Sequence, residues 1–109
     1  MLVTHAMLEP ILMSVPQMQQ AASLGAFIEF VGGNVHDSTA TARMDRYATA
    51  ITQIGPEHCI LSSDLGQQVN PLPTVGFAEF IAELRKRGVR DAALDLMLRR
   101  NPAQLLGLP

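Results

Sequence analysis

The chain has one cysteine, one tyrosine, one lysine and no tryptophan among its 109 residues. A lone Cys59 excludes an internal disulfide, and with no second cysteine a thiolate zinc finger is excluded as well. Lys plus Arg (8) nearly cancels Asp plus Glu (10), so the charge balance does not point to a polyanion-binding surface, and nucleic acid is not an expected partner. Uninterrupted apolar runs such as Cys59-Ile60-Leu61 are far shorter than the roughly 20 residues of a membrane-spanning helix. Met1 is followed by neither a basic nor an export-type apolar segment, so the expected location is the cytoplasm, with no membrane partner. Internal repeats and low-complexity tracts are absent too. What remains is 48% apolar residues, enough for one core in one domain spanning 1–109.

The chain alternates short strand-like and longer helix-like stretches. Leu2-Val3-Thr4 starts as a strand running into His5, and a loop-like segment with Pro10 follows. Ser14 and Gln17 have the spacing of a capping box, Pro16 suits a first helical turn, and Gly25 suits a left-handed stop, which predicts a helix from Val15 to Leu24. Ala26 to Val31 reads as a strand, Asn34 to Thr41 as a surface loop, and Met44 to Ile54 as a helix ended by Gly55-Pro56. His58 to Ser63 reads as a third strand opening into Asp64 and a polar loop. Val75 to Arg87, with Thr74 as cap and Gly88 as stop, reads as a third helix. Two shorter helices, Asp91 to Arg100 and Pro102 to Leu106 with Asn101 as cap, complete the chain. Apolar strands alternating with helices predict an α/β fold with three parallel strands covered on both faces. Three strands are too few to close a barrel, so the sheet is either very small or part of something larger.

Ligands of parallel α/β proteins sit at the carboxyl ends of the strands. His5 ends the first strand, Glu29 lies near the end of the second, and Asp64 follows the third. An imidazole and a carboxylate on strand ends are donor types that zinc and similar divalent metals favour, and a carboxylate there can also take a proton from water. Other polar groups carry less weight. His58 precedes its strand and reads as structural or exposed, His36-Asp37 as a solvated loop, and Cys59 as a buried, inert thiol. Ser62 and Ser63 lack the glycines of a nucleophile elbow. A phosphoacceptor role for Asp64 would want an acidic pair and a nearby lysine, and Lys86 lies in a basic helix end.

Leu2-Val3-Thr4-His5-Ala6, Leu24-Gly25-Ala26-Phe27-Ile28-Glu29, Ile54 through Asp64-Leu65-Gly66-Gln67, and Asn101-Pro102-Ala103-Gln104-Leu105-Leu106-Gly107-Leu108 together resemble the closing third of the amidohydrolase superfamily, nearest its TatD-like and amidohydrolase-related branch. The resemblance implies a partial (β/α)8 barrel whose strands would be the sixth to eighth. It implies metal or substrate binding by His5, and metal binding and proton handling by Asp64. Glu29 and Gln67 would contact a small-molecule substrate, and the Asn101-Pro102-Ala103 helix would pack beneath the barrel. The cofactor would be a divalent metal, zinc first, with manganese or nickel as alternatives. The family's His-x-His on strand one, its bridging Lys or Glu and its strand-five histidine have no counterpart here. The expectation is therefore a C-terminal fragment of a hydrolase, inactive alone, that self-associates or joins an N-terminal partner chain. The competing expectation is a non-catalytic α/β remnant or interaction module that needs a partner chain.

Overall fold

A computed structural model describes residues 2–3, 13–32, 35–62 and 73–107. Their order is β1 (Leu2–Val3), α1 (Val15–Ser23), β2 (Phe27–Val31), α2 (Ala40–Ile54), a 3-10 turn (Pro56–His58), β3 (Cys59–Ser62), α3 (Pro73–Lys86), α4 (Asp91–Asp95), a π-helical turn (Leu96–Arg100) and α5 (Asn101–Leu105). No helix among the described residues is long and apolar enough to cross a membrane. The strands form one parallel sheet in the order β1-β2-β3, with Leu2 opposite Phe27 and Glu29 opposite Ile60. Strand β2 therefore lies between the other two.

Local chemistry accounts for α1. The Ser14 hydroxyl accepts from the Gln17 N–H while the Gln17 side chain accepts from the Ser14 N–H, satisfying two donors that have no helical acceptor. At the other end Gly25 takes φ +94°, and the Ala26 N–H reaches back to Ala21 O at 3.1 Å, the bond that turns the chain into β2.

Two helix starts differ from expectation. Helix α2 begins at Ala40, inside the stretch read as a loop, where Asp37 turns the chain by accepting from the Thr39 N–H at its carboxylate and from the Ala40 N–H at its carbonyl. Helix α3 begins at Pro73, so Thr74 lies within it rather than capping it. The expected break at Asn101 is absent: Asn101 has helical φ and ψ, and α4 runs through the π-helical turn into α5. The π-helical turn lets the helix continue past Pro102, which has no N–H to offer and crowds the carbonyl one turn before it. Widening the preceding turn relieves that crowding, and the Asn101 N–H accordingly bonds the Leu96 carbonyl five residues back.

The helices pack on one face of the sheet. Ile28 and Phe30 of β2 and Cys59 and Leu61 of β3 join Met18 and Ala22 of α1, Met44, Tyr47 and Ile51 of α2, Phe80 and Leu84 of α3, Leu94 of α4 and Met97 in a single core cluster. Side chains alternate across a strand, so Phe27, Glu29, Val31, Ile60 and Ser62 lie on the opposite face. Helices on both faces were expected from the apolar strands. Among the described residues the core cluster of the helices draws on only one, because consecutive strands in consecutive order send their crossovers to the same side, while Val31 and Ile60 on the other face are buried outside that cluster.

Candidate functional site

The carboxyl end of β2 is held by two side chains of helix α2. The buried Tyr47 hydroxyl donates to Val31 O at 2.9 Å, and Arg43 Nη2 donates to Gly32 O at 3.0 Å. Gly32 also donates its N–H to Ser62 O at 2.8 Å, extending the ladder to β3. Burial pushes the Tyr47 phenol pKa up against the pull of Arg43 and Arg46, so the hydroxyl stays a neutral donor.

Arg43 is itself buried, at 9% exposure, and its Nη1 lies 3.4 Å from Asp37 Oδ2 and from Thr39 Oγ1. Asp37 Oδ1 accepts from the Thr39 N–H at 3.0 Å and from its hydroxyl at 2.9 Å, an Asx turn that leads into α2. Burial works against the Asp37 carboxylate, but the two Thr39 bonds and then Arg43 outweigh it and hold its pKa below the ordinary value. His36 pairs with Glu79 of α3. The segment read as a solvated loop is thus tied to two helices.

Of the residues singled out from sequence, His5, Asp64 and Gln67 lie outside the described residues. Glu29 is half-buried in β2, on the face opposite the core cluster. His58 sits in the 3-10 turn at the amino end of β3, with its side chain 40% exposed and 3.6 Å from Glu57 Oε1, as expected for a residue away from the strand tips. Cys59 is fully buried in the core; burial, with Glu57 adding to it, pushes the thiol up to about 12. Such a thiol is inert at neutral pH.

Arg43, Tyr47 and Asn101 were missed as organising groups. One signal was present: Arg43 falls on the same helical stripe as Ala40, Met44, Tyr47 and Ile51, all buried. A cation on an apolar stripe implies a buried acceptor, here the Gly32 carbonyl.

The donors for a metal can be judged by type. His5 and Asp64 are suitable ligands, but a catalytic zinc takes three from protein. Among the described residues no cluster of three or more His, Cys, Asp or Glu could hold a metal ion. The two candidates by themselves do not make a catalytic metal centre. Comparison with models of known protein families, with curated proteins and with solved structures gives no match.

Proposed function

We propose that this chain is part of a metal-dependent hydrolase of the amidohydrolase type, in which His5 and Asp64 form one corner of a site acting on an amide, ester or phosphoester bond. One observation carries the reading. The parallel strands run in consecutive order with the core cluster of the described helices on a single face, as the strands of a (β/α)8 barrel do, whereas a doubly wound sheet reverses its order and carries helices on both faces; this supports the reading. In a barrel wall the face bearing Glu29 is the inner one, and catalytic groups follow the carboxyl ends of the strands. His5 follows β1 and Asp64 follows β3 by two residues each in the sequence, and those two strands flank β2, with their axes roughly 10 Å apart. The missing donors are supplied by a second segment.

The test has two parts. Zinc titration of the purified chain should show weak binding that Asp64→Asn and His5→Asn each weaken further and His58→Asn leaves unchanged. Co-expression with a segment supplying a His-x-His strand should give metal-dependent hydrolysis. Asp64→Asn should abolish that activity, because an amide carries no negative charge and accepts no proton at neutral pH. His5→Asn should leave part of it. Zinc binding indifferent to both substitutions, with no turnover in the assembly, would leave the chain as a non-catalytic interaction module.

A further inference from the structure

Strand β3 borders β2 on one side, and no described strand pairs with its other side. In a parallel ladder alternate residues direct both peptide groups to the same neighbour. The Gly32 N–H bonds Ser62 O, and Val31 stands opposite Ser62. Ser62 and Ile60 therefore face β2, and Cys59 and Leu61 turn their N–H and C=O groups outward.

Both outward groups of Cys59 are already satisfied within the chain. Its N–H donates to Pro56 O in the 3-10 turn. Its C=O accepts from Asn101 Nδ2 at 2.7 Å, and the same amide nitrogen donates to Pro56 O at 2.8 Å. Asn101 is 3% exposed, and the π-helical turn before Pro102 is what places it there. Its amide stands where the N–H of an adjoining strand would stand.

We infer that Asn101 is an edge guard: it closes the outer edge of β3 at Cys59, so that a strand from a second copy of this chain can pair only from Leu61 onward. A second copy is the relevant competitor because β1 and β3 are parallel strands of one sheet on opposite sides of β2. The β1 of one copy laid on the β3 of the next continues the sheet, and such a head-to-tail contact does not close on itself. The guard leaves one outward-facing residue of the four in β3, too little edge to nucleate that addition. The inference does not rest on the hydrolase reading: in a completed barrel the strand added beside β3 would likewise pair only from Leu61 onward.

Sedimentation of Asn101→Ala across a wide concentration range, beside Met97→Ala as a control for lost stability on the same helical run, tests it. Asn101→Ala should associate roughly fivefold to tenfold more tightly than the control, the gain from one recovered hydrogen bond. Equal association by the two variants would overturn the inference. If Asn101→Ala does not fold, amide exchange of the unmodified chain decides: the Cys59 N–H should exchange at a rate independent of protein concentration. Slowing of that amide as concentration rises would show strands pairing at the level the guard is said to close.

Discussion

Replacing Gly32 by alanine tests how rigidly the end of β2 is held. A Cβ at Gly32 would lie 2.5 Å from Cγ and Cδ2 of Phe80 and 3.0 Å from its Cβ, where carbon atoms prefer about 3.5–4.0 Å. Either the strand or the ring must move by about 1 Å. The strand is tied by its N–H to Ser62 and by its carbonyl to Arg43. The ring is fully buried and packed against Tyr47 and Phe77, at centroid distances of 6.1 and 6.2 Å. With neither side free to give, the cost should reach the upper part of the 1–3 kcal/mol typical of overpacking, about 2–3 kcal/mol. In a domain of this size each kcal/mol lowers Tm by roughly 4–8 °C. Urea unfolding followed by far-UV circular dichroism should be run on the parent, Gly32→Ala, Phe80→Leu and the double variant. Phe80→Leu alone removes core volume and should cost about 1–2 kcal/mol. Because the smaller side chain makes room for the methyl, the double variant should be more stable than the sum of the singles by about 1–2 kcal/mol. Additive losses, or a Gly32→Ala variant within about 0.5 kcal/mol of the parent, would refute the claim that this contact is rigid.

Tyr47→Phe should cost about 0.5–1.5 kcal/mol in urea unfolding, because it removes the donor to the buried Val31 carbonyl and leaves the ring packing intact. A neutral result would show water replacing the hydroxyl. Cys59 should resist thiol reagents at pH 8 until the chain unfolds. Its folded pKa of about 12 lies above the ordinary 9.0, so its contribution is complete below pH 9 and is lost as pH rises from 9 toward 12, while the unfolded thiol ionises first. A Cys59→Ala variant should lose that part of the alkaline slope in a denaturant series. Asp37 has the opposite sign: its folded pKa lies below 3.8, so its contribution is present above that value and is lost as pH falls through the folded one. Asp37→Asn should flatten the acid limb of the stability profile, and an unchanged limb would remove Asp37 from the account.

The α/β alternation, the limits of α1 and β2 to within a residue, and the burial of Cys59 are set by signals within a few positions of one another. Ser14 and Gln17 cap each other, Gly25 supplies the left-handed turn, and the strands are apolar enough to mark themselves. The strand-end logic also marked Glu29, His5 and Asp64 as the residues to ask about, and set His58 aside.

Tertiary structure decided the rest, because the partners are far apart in the chain. Asn101 meets Cys59 and Pro56 across more than 40 positions, and His36 meets Glu79 across 43. No local pattern announces either pair. A cap and a helical interior look alike at Asn101 until the π-helical turn is seen, since the same Pro102 suits both. Apolar strands alone suggested cover on both faces, whereas the side on which helices pack follows from strand order and crossover, which only the assembled sheet fixes. Residue types and short spacings therefore determined the elements, and long-range hydrogen bonds and winding determined which side chains those elements bring together.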